Sequence, residues 1–156
     1  MYYVKSILLF CITFLLYACS LESDGPEVHV STDHNTYIWS LTDSVRVKVK
    51  NTGTETVYYI CTGQIFLEEH KGGQIINTWQ VHGFEECLAA RPIEPGSQKV
   101  FTISAHEGEG SIDHFMTSPI SIDSKYTFQV LLCVDKDYKD VLPFKNSRSD
   151  QIIIEP

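Results

Sequence analysis

The sequence predicts an all-β domain, a sandwich of about seven short strands, and three observations predict it. Residues 45–50 alternate strictly between valine and a basic side chain, Val45-Arg46-Val47-Lys48-Val49-Lys50. That is the period-2 pattern of a strand with one buried face. Turn signals recur between apolar runs, at Asn51-Thr52-Gly53-Thr54, Lys71-Gly72-Gly73 and Glu94-Pro95-Gly96. No segment sustains a helical apolar period, and the chain has no internal repeat or low-complexity tract. Short strands separated by such turns read as two packed sheets.

In chain order, Val28 and Val30 around His29 begin a first strand. The valine stripe of 45–49 follows, with its charged side outward. Thr56 to Cys61 and Gln64 to Leu67 are rich in β-branched and aromatic residues, which suit a pleated, half-buried surface. Lys71-Gly72-Gly73 makes a hairpin turn into Gln74 to Trp79, and Pro92 with Glu94-Pro95-Gly96 punctuates the next connection. Lys99 to Ile103 is another strand. Ser104 to Lys125 is a long connection with Gly108 and Gly110 in an acidic stretch and Pro119 further on. Connections of that length are uncommon unless functional or partly structured. Tyr126 to Val134 is the strongest strand, Asp135 to Asp140 a polar turn, and Gln151 to Ile154 closes the sheet.

Three stretches, DSVRVKVKNTGTETVYYICTG (43–63), PIEPGSQKVFTI (92–103) and KYTFQVLLCV (125–134), carry a resemblance. They look like the bacterial immunoglobulin-like domains of secreted proteins and lipoproteins. They are also similar to the bacterial intracellular proteinase inhibitor domain, which shares that plan. The matching features are a strand ending in Asn51, an aromatic strand after the turn, the Pro95-Gly96 turn and the late Tyr126 strand. Ser124 stands where many such domains carry glycine, and Trp79 alone represents the Trp-rich hairpin of the inhibitor family. The resemblance implies an immunoglobulin-like β-sandwich, an architecture that hosts many binding roles.

The first residues read as an export signal. Lys5 is the only charged side chain before Glu22, and Ile7 to Leu16 is apolar apart from Thr13. That stretch of about 10 residues is short of the roughly 20 a membrane span needs. Leu16-Tyr17-Ala18-Cys19 then resembles the lipobox of bacterial lipoproteins, with Tyr17 bulkier than the usual small residue. The resemblance implies cleavage before Cys19 and its lipidation, so that acyl chains attach the chain to a membrane at about 0.8 kcal/mol per buried methylene. The expected organisation is a signal peptide over 1–18, a lipidated Cys19 and short tether over 19–27, and one domain over 28–156. Eight tether residues, Ser20 to Glu27, reach at most about 28 Å. The implied location is the bacterial cell envelope, inner or outer membrane.

Residues 19–156 are enough for one domain with a real core. The whole chain has a formal charge of −8, and losing Lys5 with the signal makes it −9. Such acidity offers no electrostatic footprint for nucleic acid and leaves membrane attachment to the lipid.

Five cysteines are present. Cys11 leaves with the signal and Cys19 takes the lipid, so Cys61, Cys87 and Cys133 remain for an oxidising compartment. A Cys61–Cys87 disulfide is expected. It would close a 27-residue loop, worth roughly 3 kcal/mol in the chain-entropy model. Cys133 then stays a buried thiol, and Cys61–Cys133 is the competing pairing, which would join two sheets.

Three sets of side chains have metal-ligand chemistry: His70 with Glu68 and Glu69, His82 with Glu85 and Glu86, and His106 with Glu107 and Glu109. All are expected to be solvated turn residues, and no metal or other cofactor is expected. Asp135-x-Asp137 begins like a calcium loop, but Lys139 takes the next ligand position and no glycine follows. The chain contains no GxSxG, HExxH, P-loop or GxGxxG motif, so no enzyme activity is expected.

The expected function is therefore a membrane-anchored, non-catalytic binding or accessory module for an envelope protein or glycan. The alternative is a proteinase inhibitor presenting the 62–86 hairpin or the 104–125 loop. Within that loop His114, Phe115 and Met116 are the candidate partner contacts. Phe115 and Met116 either form an exposed contact or plug the open end of the sandwich.

Overall fold

The valine stripe is where the core begins. The computed structural model describes residues 26–60, 63–82, 89–106, 111–115, 120–121 and 123–156, with 114, 115 and 144 described by backbone alone. In it β3 (Ser44–Asn51) is the centre of an antiparallel sheet between β1 (Val28–Thr32) and β8 (Gln98–Ser104). Val45, Val47 and Val49 are fully buried, while Arg46, Lys48 and Lys50 are exposed. The register sets Val45 opposite Ile103 and Val47 opposite Phe101, so both strands bury the same face. Each buried side chain of this kind contributes about 1.5–3 kcal/mol.

β3 ends in a fully buried asparagine. Asn51 Nδ2 donates to the carbonyls of Glu55 and Ile93, and Oδ1 accepts from Gly53 N–H. Its backbone N–H donates to Ser97 O, and Gly96 N–H donates to Asn51 O. One side chain thus ties the 52–56 turn to the turn before β8, and every group it buries is satisfied.

The remaining long strands form two ladders that run into each other. β4 (Val57–Ile60) lies between β7 (Ala90–Ile93) and β10 (Leu132–Cys133); β5 (Ile65–Lys71) lies between β6 (Gln74–His82) and β9 (Lys125–Val130). Leu132 faces Tyr59 and Val130 faces Ile65, so the two ladders are offset by four residues. Leu131 N–H donates to Gln64 O at the joint. Gly63 sits there with φ +72°, and a Cβ on it would overlap the Phe101 ring. Only glycine satisfies both the backbone and the close approach. The β5–β6 turn is Gly72-Gly73, both with positive φ, as a tight two-residue hairpin requires. Pro92 does not punctuate a connection; it lies inside β7, facing Tyr58. β7 is an edge strand, where a missing N–H costs no ladder bond.

β2 (Thr36–Ile38) and β11 (Ile153–Glu155) pair in parallel, and Ile152 bridges Tyr126 on the outer edge of β9. The C-terminal segment therefore joins the sheet of β9, but through β2 as well as beside Tyr126. One four-residue helix, α1 (Ile112–Phe115), interrupts the 104–125 connection. The fold is all-β among the described residues, in eleven strand segments where about seven were expected. The ladder offset and Leu131 split long strands, and the three residues of β2 are too few to show a period. Inward side chains of every sheet share one buried cluster, from Val45, Val47 and Phe101 through Ile65, Leu67 and Phe128 to Ile152 and Ile154. Among the described residues no helix is long and apolar enough to cross a membrane.

Candidate functional site

β8 delivers Ala105 and His106 to the end of the molecule where Trp39 lies. Trp39 opens a short 3-10 turn, Trp39–Leu41, and is buried. Ala105 N–H donates to Asp43 O, and Asp113 N–H donates to Ala105 O at 3.0 Å. Ser111 and Ile112 are buried, so the start of α1 is pinned from below. Above it three residues close a ring through two side-chain contacts and one backbone carbonyl. His106 Nδ1 lies 2.6 Å from Asp113 Oδ2, and His106 Nε2 lies 2.8 Å from the Trp39 carbonyl oxygen. Trp39 Nε1–H donates to Asp113 Oδ1 at 2.8 Å. The imidazole stands edge-on to the indole, with centroids 5.1 Å apart at 68°. The hydrogen bond to Asp113, then that to the Trp39 carbonyl, hold the His106 pKa above the ordinary histidine value. Ile38 and Leu41, 47% and 77% exposed, flank Trp39 and present apolar surface to water beside this seat.

A second polar cluster corrects the expectation that Glu68, Glu69 and His70 are solvated turn residues. They lie on β5, and both carboxylates are buried. Arg148 Nε lies 2.6 Å from Glu68 Oε2, and Arg148 Nη2 donates to Oε1 at 2.8 Å. Thr127 Oγ1, opposite on β9, donates to Oε2 at 3.1 Å, and His70 Nε2 meets the same hydroxyl at 2.8 Å. Glu69 points to the other face, where Ser124 Oγ donates to Oε1 at 2.6 Å and Asn77 Nδ2 to Oε2 at 2.7 Å. Every carboxylate oxygen of the two acids meets a protein donor, which offsets the cost of burying them. The Glu68–Arg148 pair clips the C-terminal segment onto the β5–β9 ladder. A shallow cleft of about 400 Å³ beside it is lined by Glu27, His29, Lys145 and Asn146 along with Arg148. Its charges are mixed, and Arg148 is already engaged.

The other sequence-derived candidates fall as follows. Cys19, Cys61, Cys87 and Met116 lie outside the described residues, as do Glu85, Glu86, Glu107 and Glu109. His114 and Phe115 are in α1, and their side chains lie outside the description. Cys133 is free and buried, and burial, reinforced by Asp135 and Asp140, raises its thiol pKa. A thiol held protonated in this way is a poor nucleophile. Among the described residues no group of three or more His, Cys, Asp or Glu is placed to hold a metal ion. Asp135 turns inward: its carboxylate accepts from the backbone N–H groups of Asp137, Lys139 and Asp140. Desolvation works against the charge there, but these three donors leave the Asp135 pKa below its ordinary value.

Sequence reasoning missed the partners more than the residues. His106 and Asp113 are seven apart on a connection without a regular period, and Trp39 is a further 67 residues away. Glu68 and Arg148 are separated by 80. The signal within reach was the run Ile65-Phe66-Leu67-Glu68-Glu69, acids carried straight on from a buried strand.

No protein-family model matches the chain, and no curated protein matches it. Among solved structures it is similar to the sporulation control protein Spo0M from Bacillus subtilis. The identity is 17%, over 84% of this chain and 49% of that one, with a TM-score of 0.37. The chain thus spans about half the length of that protein.

Proposed function

We propose that this chain is an exported envelope lipoprotein, anchored through Cys19, whose domain is an immunoglobulin-like β-sandwich. It acts as a non-catalytic binding or accessory module for a protein or glycan partner, with the 104–125 segment as its contact. The export half is supported by the apolar stretch and Leu16-Tyr17-Ala18-Cys19. The sandwich is supported by the single core shared by the sheets and by Tyr126. That tyrosine starts the late strand, is fully buried, and its hydroxyl accepts from the backbone N–H of Ser121, five residues upstream. The arrangement is similar to the tyrosine corner of immunoglobulin-like domains. Ser124, which replaces the usual glycine there, is a donor to buried Glu69.

The observation that carries the binding role is the seating of α1. Ser111 and Ile112 are buried, and Asp113 is tied to Trp39 and His106, so the backbone that bears His114 and Phe115 starts from a fixed base. Exposed Ile38 and Leu41 beside that base extend the apolar area available to a partner on an otherwise acidic molecule. The test replaces Phe115 and Met116 together by Ser in the lipid-anchored form. The expected result is loss of partner capture from intact cells with an unchanged melting temperature. A large drop in melting temperature would make these residues core plugs and move the interface to the strand faces. A purified native protein whose N-terminus is not acylated Cys19 would remove the anchor from the proposal.

A further inference from the structure

Both ring nitrogens of His106 face atoms that only accept. Asp113 Oδ2 is a carboxylate oxygen already sharing its group with the Trp39 indole N–H, and the Trp39 oxygen is a backbone carbonyl. A neutral imidazole has one N–H, so it satisfies one of these contacts and turns a lone pair toward the other. Only the imidazolium, with two N–H groups, donates to both. The three residues come from three separate pieces of chain: the turn after β2, the end of β8, and α1. We propose that His106, Asp113 and Trp39 form a proton-dependent latch, which holds α1 on the Trp39–Leu41 turn when His106 carries both ring protons and loosens it when one is lost.

Among the described residues the charged groups that act on His106 are Asp113 from α1 and Asp43 from the turn before β3, both acids. Both favour the imidazolium, as the two hydrogen bonds do. His106 therefore has a higher pKa with the latch closed than with it open. Stabilisation from such a group is fully present below the open-state pKa, near the ordinary value of about 6.5. It is lost as pH rises through the closed-state pKa. The latch is thus closed in acid and releases on the alkaline side. About a third of the His106 side chain is exposed, so water replaces the lost contact and the release is local. The sheets keep their core, because Ala105 and Ile112 are held by burial rather than by the ring.

The experiment is a pH titration of the full chain in detergent micelles by NMR, reading the His106 ring protons and the hydrogen exchange of the Asp113 amide. That amide donates to Ala105 O and reports whether α1 is seated. The expected His106 midpoint lies above the ordinary histidine value. After correction for intrinsic exchange, protection of the Asp113 amide falls across that midpoint. The fall is about tenfold for each unit by which seating raises the pKa. Asp113→Asn returns the midpoint to the ordinary range. His106→Gln, which removes the titrating ring and keeps a polar side chain, makes the protection independent of pH. An ordinary midpoint in the parent chain overturns the latch. So does protection that is unchanged across the midpoint, or that still falls in His106→Gln.

Discussion

Glu68 and Asp113 are both carboxylates paired with a basic side chain, Glu68 across 80 residues and Asp113 across seven, yet their surroundings give them opposite roles. Glu68 is 3% exposed and is held by Arg148 and Thr127 inside a continuous ladder. Asp113 is 44% exposed and faces a histidine. Arginine stays charged at any accessible pH, so the first pair cannot be switched by protons at its cationic end, and burial makes it costly to break. Histidine loses its charge near neutrality, and exposure lets water take over, so the second cluster opens cheaply. Burial and the choice of cation thus separate a structural clip from a latch, although both contain the same acid–base chemistry.

The largest expected effect is on the clip. Arg148→Ala leaves Glu68 buried without its counter-charge and is expected to destabilise the domain by about 3–5 kcal/mol in denaturant unfolding. Replacing both partners by apolar residues, Glu68→Met with Arg148→Leu, is expected to recover most of that loss. A single substitution costing under about 0.5 kcal/mol, the usual surface level, would put this pair with the exposed ones.

How much of this was legible differs along the chain for a physical reason. The valine stripe of β3 and the Gly72-Gly73 turn were readable because their determinants are neighbours in sequence: alternation sets the buried face, and positive φ selects glycine. The acids of β5 mislead in the sequence because Glu68 and Glu69 are charged, and charge ordinarily means exposure. What allows their burial is supplied by Arg148, Thr127, Ser124 and Asn77, from other segments. The latch was half-legible: the 104–125 connection stood out by its length, and His106 by its chemistry. Trp39 as the second acceptor needed the fold. Pro92 reads as punctuation in the sequence because a strand interior usually excludes proline, and only the sheet order shows that β7 is an edge.

A smaller effect separates the two faces of β5. Ser124→Gly restores the residue that the resemblance would place before Tyr126, and it removes the donor to Glu69 Oε1. A buried acceptor left unsatisfied costs about 1–3 kcal/mol, so this variant is expected to lower the denaturation midpoint by less than Arg148→Ala does. A gain in stability would mean that glycine's backbone freedom matters more at this position than the hydrogen bond.

The most direct measurement of the contrast is native-state hydrogen exchange across sub-denaturing concentrations of denaturant, followed at three amides. Ser149 and Ile152 N–H donate to β9 carbonyls on the clipped side, and Asp113 N–H donates to Ala105 O on the latched side. The expected result is that Ser149 and Ile152 exchange only with global unfolding, at the full unfolding free energy and with its denaturant dependence. Asp113 should exchange through a smaller, nearly denaturant-independent opening that weakens further as pH rises. Merging of all three amides into one isotherm, at every pH, would contradict the division between clip and latch.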